Sequence, residues 1–233
     1  MKMQRLDQFI AHASGLTRVL AKSAIRHKKV SVNGEIIKNA ALKVSGQDKI
    51  TLEGTLLNAP STHYFALNKP TGYVCSHEDD GHLSVFRLID LPNPYQLHIA
   101  GRLDQDTTGL VILTEDGAWS HKLAHSKRQC HKQYQVDLLN PIDAAQILSL
   151  ETGVQLHGEA QLTEPAIVVV INPNQILLTI YEGKYHQVKR MLASVGNKVV
   201  ELKRLSIGSI LLGDLPLGEY RALSADELAR CNE

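Results

Sequence analysis

Hydrophobic spacing changes character near residue 60 of this 233-residue chain, and that change limits the folds open to it. Before it, Leu6, Phe9, Ile10 and Ala13 fall at i, i+3, i+4 and i+7, the stripe of a short amphipathic helix. Ser14-Gly15 ends that helix, because glycine accepts the positive φ of a C-terminal cap. Thr17 is placed to cap a second helix running to about His27. Val30 to Ile36 alternates about Asn33-Gly34, the pair favoured in a two-residue hairpin turn, and Ile50 and Leu52 alternate in a further strand. From Tyr64 onwards short apolar runs take over. Val111-Ile112-Leu113, Ile167 to Ile171 and Ile176 to Ile180 read as buried strands, the last two joined by the turn Asn172-Pro173-Asn174. Ala144 to Leu150 and Gln187 to Val195 read as helices, the second ended by Gly196. The spacing predicts a head over residues 1–57, a polar linker over 58–63 and a body over 64–233. With strands outnumbering helices, the body is expected to be α+β, built on a largely antiparallel mixed sheet with flanking helices.

Charge divides at the same place. Residues 1–50 carry ten Lys/Arg against three Asp/Glu, a net of +7, whereas the remainder carries 15 against 21, a net of −6. On the second helix Arg18, Lys22 and Arg26 recur every four residues and share a face. With Arg5 and Lys29 they form a basic group expected to meet a polyanion, through phosphates that supply affinity and position more than sequence choice. A solvated helix face is the plainer meaning of such a stripe; the clustering of seven net charges favours the polyanion.

Composition excludes several classes. Cys75, Cys130 and Cys231 are odd in number and far apart, which disfavours a disulfide framework and fits a reducing cytoplasm. The first residues lack the apolar core of a signal peptide, and no run approaches the ~20 apolar residues of a membrane span. No CxxC, GxGxxG or Walker loop occurs, so neither a metal nor a nucleotide cofactor is expected. No coiled-coil pattern appears, and a monomer is expected.

The stretch Gly101-Arg102-Leu103-Asp104-Gln105-Asp106-Thr107-Thr108-Gly109-Leu110 lies between an apolar strand, Leu97 to Ala100, and another, Leu110 to Leu113. Connections mounted on a rigid sheet are where chemistry is usually placed. On residue types alone the stretch reads more readily as a polar turn whose Asp and Thr side chains cap backbone amides than as a catalytic loop. Its two carboxylates also suit a glycosidase pair, since retaining enzymes need them ~5–5.5 Å apart.

Four segments together resemble the pseudouridine synthases that carry an Arg-Leu-Asp loop. They are Gly101 to Leu110, Leu67-Asn68-Lys69-Pro70-Thr71-Gly72-Tyr73, Lys132-Gln133-Tyr134, and Glu182-Gly183-Lys184-Tyr185-His186-Gln187-Val188-Lys189-Arg190-Met191-Leu192. They occur in the family's order. The head resembles the S4 RNA-binding module over residues 3–50, through Arg5-Leu6-Asp7 and Val30-Ser31-Val32-Asn33-Gly34. The wording of Tyr73-Val74-Cys75-Ser76 and of the last motif is closest to members acting on 16S ribosomal RNA of the small subunit. The resemblance implies isomerisation of the uridine near the 530 loop, with neither cofactor nor metal. The alternatives are a large-subunit substrate and an inactive S4-containing assembly factor.

The same resemblance assigns roles. Asp104 is implied as the carboxylate, attacking C1′ or C6 or removing the C2′ proton. Lys189 is expected to pair with Asp104 and hold it ionised, because burial alone favours the neutral acid and a nearby cation opposes this. Tyr134 is implied to stack on the base and Arg102 to fill the place a flipped base vacates. Arg190 and Lys69 complete the substrate-binding set, with Pro70 and Gly72 supporting the pocket.

Overall fold

The computed structural model describes residues 3–58, 62–78, 81–125 and 130–231. It divides into two compact units, Met1–Thr62 and His63–Glu233. Of the expected linker, residues 59–61 lie outside the described residues.

The head opens with β1 (Gln4–Arg5), α1 (Leu6–Ser14) and α2 (Arg18–Arg26). Gly15 closes α1 at φ 71, and the Thr17 hydroxyl accepts from Leu20 N at 3.3 Å to start α2. There follow β2 (Val30–Val32), β3 (Glu35–Ile36), β4 (Lys43–Val44), β5 (Ile50–Leu52) and β6 (Thr55–Leu57). Asn33 at φ 53 and Gly34 at φ 90 make the turn between β2 and β3, both in the left-handed region that such a turn demands. The sheet order is β3-β2-β5-β6, and β1 pairs β4. Leu6, Phe9, Ile10, Ala21, Ile25, Val30 and Ile50 form the head's own core.

The body begins with β7 (Tyr64–Lys69), β8 (Tyr73–Val74) and β9 (Leu83–Ser84), then β10 (His98–Ala100), β11 (Thr108–Thr114) and α3 (Gly117–His125). It continues through β12 (Lys132–Leu138), α4 (Ala144–Thr152), β13 (Ile167–Asn172), β14 (Gln175–Ile180) and α5 (Gln187–Ser194). It ends with β15 (Val199–Ile207), β16 (Ile210–Leu211), β17 (Tyr220–Ala222) and α6 (Ala225–Arg230). The main sheet runs β13-β14-β12-β15-β11-β7-β17, with β10 beside β11 and β16 beside β15. All its pairings are antiparallel except β11 with β15.

Both faces of the central strands are covered, which is why β11 reads as an unbroken apolar run. Val111 and Leu113 join Tyr134, Val136, Leu150, Val188 and Met191 on one face. Leu110 and Ile112 join Trp119, Leu123 and Ile207 on the other. The parallel pair leaves no room at Gly109, where a Cβ would stand 2.3 Å from Arg204 O. Glycine is required there by β15, not by a turn.

One expected burial is corrected. Ile167, Val169, Val170 and Ile171 are 47–53% exposed, because β13 is the last strand of the sheet and among the described residues pairs only with β14. Apolar composition marks a strand without distinguishing a central one from an edge. Among the described residues no helix is long and apolar enough to cross a membrane.

Candidate active site

The chain leaves β10 at Ala100 and returns antiparallel as β11, Ala100 opposite Ile112, so the connection from Gly101 to Thr107 stands at one end of the sheet. Several groups fix its backbone. The Arg204 guanidinium donates to Gly101 O at 2.5 Å, Arg102 O at 3.3 Å and Leu110 O at 2.7 Å, holding the start of the loop and its exit. Lys69 Nζ donates to Gln105 O at 3.2 Å, and Gly72 N donates to the same oxygen at 2.9 Å. Leu103 is tucked into the core, its N–H donating to Cys75 Sγ at 3.4 Å.

With the loop held, Asp104 projects toward the first turn of α5. Lys189 Nζ lies 3.2 Å from Asp104 Oδ2, and His186 Nε2 lies 3.3 Å from Oδ1. Lys189 also reaches Asp106 Oδ1 at 2.6 Å. The hydrogen bond from Lys189 holds the Asp106 carboxyl below its ordinary value. Burial pulls the Lys189 ammonium downward, but the bonds to Asp106 and Asp104 outweigh it and the net movement is upward. Lys189 therefore stays a cation. The start of α5 adds the positive end of a helix dipole on the same side. His186 occupies φ 47, a left-handed conformation unusual outside glycine, with its ring stacked on Tyr185 at 3.8 Å. Strain of this kind persists where surrounding structure over-determines it, and it gathers at functional sites.

Asp104, Lys189, Tyr134 and Arg102 line one cavity of about 700 Å³, within the size range of small-molecule sites. Val74, Ile99, Ile180, Val188 and Leu202 supply its apolar wall. Tyr134 comes from the centre of β12, buried, with Arg204 6.0 Å from its ring centroid and 3.5 Å from its hydroxyl. Arg102 is exposed and makes no ion pair with Asp106 among the described residues.

Two expected substrate contacts are corrected. Lys69 is fully buried and spends all three of its donors on the carbonyls of Pro70, Tyr73 and Gln105, so it braces the loop from behind. Arg190 donates to Glu159 Oε1, Tyr185 O and His157 O, which ties the 157–159 turn to the entry of α5 instead of facing the cavity.

Three residues escaped the sequence reading. His186 lies within the Glu182–Leu192 motif, whose resemblance assigns it no role. Arg204 lies on β15, whose alternation Leu202, Arg204, Ser206 is the signal that places a charge on a buried face. Lys132, two residues before Tyr134, is buried and lines the same cavity, its ammonium pulled downward by burial.

In the head, Arg5, Arg18 and Lys22 converge on one carboxylate. Asp7 is 0% exposed, 3.0 Å from Arg5 Nε, 3.3 Å from Arg18 Nε and 3.9 Å from Lys22 Nζ. The bond from Arg5 leads in holding the Asp7 carboxyl below its ordinary value. Three cations against one acid leave a positive surplus at the surface. Arg26 makes no ion pair among the described residues, and Lys29 pairs with Glu53 at 2.6 Å on the surface.

Comparison with known proteins gives concordant matches. Residues 63–194 match a family described as RNA pseudouridylate synthase, and residues 4–50 match the S4 domain. The ribosomal small subunit pseudouridine synthase A of Escherichia coli (strain K12) is 49% identical over 227 residues, covering 97% of this chain and 98% of the relative. Its counterpart from Pasteurella multocida (strain Pm70) is 48% identical, covering 98% and 100%. A crystal structure of a pseudouridylate synthase superposes with a TM-score of 0.70 at 45% identity, covering 97% of this chain and 99% of the other.

Proposed function

The chain belongs to the RNA pseudouridylate synthase family, in its ribosomal small-subunit type with an S4 domain, and on that premise we propose that it isomerises uridine 516 of 16S ribosomal RNA to pseudouridine with Asp104 as the reacting carboxylate. The observation that carries the assignment of Asp104 is its setting. It is a partly exposed carboxylate at a cavity wall, with a cation on one oxygen and an imidazole on the other.

The reaction breaks N1–C1′, joins C5 to C1′, removes the C5 proton and leaves one on N1. A group beside the glycosidic bond must carry negative charge, and the Lys189 ammonium 3.2 Å from Asp104 Oδ2 lies where it attracts that charge. A uridine inside folded RNA has to leave its stack to reach the cavity. The Tyr134 face recovers part of that cost, on the order of 1–3 kcal/mol per stacked base. Arg102, exposed and without an ion pair to Asp106, fills the space the base vacates. The surplus positive charge around Asp7 holds the surrounding RNA by its phosphates.

The test is a pseudouridine map of small-subunit ribosomal RNA after incubation with the wild-type protein and with Asp104→Asn. One new pseudouridine made by the wild type alone, at position 516, is the expected result. Modification elsewhere overturns the target, and an active Asn variant overturns the residue.

A further inference from the structure

Among the described residues the body buries three cations, Lys69, Lys132 and Arg204, and none of them has a carboxylate partner. Burying a charge without one is costly, so each needs another account. For two of them the account is complete. Lys69 donates to three backbone carbonyls. Arg204 donates to three carbonyls and approaches the Tyr134 hydroxyl. Lys132 differs. It is 7% exposed, yet its ammonium has one partner among the described residues, Cys130 O at 3.0 Å. An ammonium carries three donors, so two are left over. They open on the cavity that holds Asp104. Gly183 lines the cavity beside it, and a Cβ there would stand 4.0 Å from Lys132 Nζ, so the residue at this position leaves the ammonium uncovered.

Position says what those donors meet. Lys132 and Tyr134 are two residues apart on β12, both buried on the same face, hence about 6.8 Å apart along the strand. Depth narrows it further. The side chains of Asp104, Lys189 and His186 are 27–37% exposed and lie nearer the mouth, whereas Lys132, Tyr134 and Arg204 form the floor. The sugar–phosphate chain of an RNA enters and leaves by the mouth. A flipped base is the part that reaches the floor. Only acceptors suit an ammonium, and uracil offers two, O2 and O4.

We infer that Lys132 binds a carbonyl oxygen of the flipped uracil and stabilises the negative charge the base acquires when N1–C1′ opens. The inference rests on the isomerase reading and adds a base-binding residue to it. Where that oxygen is O4, the cavity also prefers uracil over cytosine, whose 4-amino group presents a donor to a donor; O2 is common to both bases.

The experiment compares RNA carrying uridine, 2-thiouridine or 4-thiouridine at the modified position, with wild-type protein and with Lys132→Met, which keeps the buried stem. Sulfur accepts hydrogen bonds poorly. The wild type is expected to lose on the order of tenfold in kcat with one of the two thio bases, the size of one hydrogen bond to a charged donor. Lys132→Met is expected to lose about 10–100-fold on uridine, with Kd for the RNA unchanged and no further loss from the thio base. Equal wild-type rates on all three RNAs overturn the inference, however the variant folds. So does a variant that keeps the thio penalty. A wild type that forms no pseudouridine at all overturns the isomerase reading and this inference together; an active, thio-insensitive wild type overturns this inference alone.

Discussion

Asp7 in the head and Asp104 in the body are both aspartates gathered in by cations, yet the arrangements differ in the one respect that decides their use. Asp7 is 0% exposed and takes Arg5, Arg18 and Lys22 onto its two oxygens. Nothing from solution reaches it. Asp104 keeps 30% of its side chain open and has one partner per oxygen, and the cation among them is shared with Asp106. A saturated carboxylate organises cations for display. An undersaturated one remains available to a substrate. The same ion-pair chemistry therefore yields a scaffold in one unit and a reagent in the other, according to access alone.

The sharpest way to break that comparison is to neutralise each carboxylate in turn. Asp104→Asn is expected to lower kcat by at least about 10³-fold, roughly 4 kcal/mol of transition-state stabilisation, with little change in thermal unfolding. Asp7→Asn is expected to do the reverse. Losing the charged hydrogen bonds of Asp7, with its cations left half exposed, destabilises the head by about 1.5–3 kcal/mol, while kcat at saturating RNA stays near wild type. Chemical denaturation and single-turnover assays on both variants separate the outcomes. A large kcat loss from Asp7→Asn makes the head part of the reagent and ends the distinction.

Much of this was legible in the sequence, and the failures share a cause. The helices of the head, the Asn33-Gly34 turn, the strand at 111–113 and α5 follow from local spacing, because local patterns encode local structure. What escaped was set by neighbours distant in the chain. Ile167 to Ile171 reads as core because β13 is apolar, and only the strand order places it at an edge. Arg190 and Lys69 carry the right charge for substrate, and only their partners in the fold remove them from it. Arg204 reaches across about a hundred positions to Gly101 and Arg102, a pairing no window of sequence displays.

Lys189 tests the reagent from its other side. Lys189→Met is expected to lower kcat about 10–100-fold, the scale of a lost hydrogen bond between charged groups, with RNA affinity kept. Its effect on stability has a pH signature. The Asp106 carboxyl is depressed by Lys189, so its contribution is present above the unfolded value near ~3.9 and lost as pH falls through the lower folded value. The Lys189 ammonium is raised, so its contribution is full below ~10.4 and lost as pH rises through the higher folded value. The stability gap between wild type and variant is expected to be flat between those limits, below about 1 kcal/mol for so exposed a pair, and to close at both ends. Urea unfolding across pH measures it. A gap that widens in acid reverses the assignment.

The smallest effects lie on the rim of the scaffold and sharpen what its display means. Arg26 has no ion-pair partner among the described residues, whereas Lys29 is already matched by Glu53. If the head binds phosphates by releasing counterions, Arg26→Ala removes one whole contact. The slope of log affinity against log salt is then expected to fall by about 0.7–0.9. Lys29→Ala removes a cation and at the same time leaves Glu53 unopposed near the RNA. Its slope is expected to change less, while affinity still falls modestly at every salt concentration. Titrations of one RNA at several ionic strengths separate the two. Equal slopes for both variants mean that Glu53 gives up Lys29 to the RNA on binding. The surface pair is then a placeholder for a phosphate, in contrast to the fixed set around Asp7.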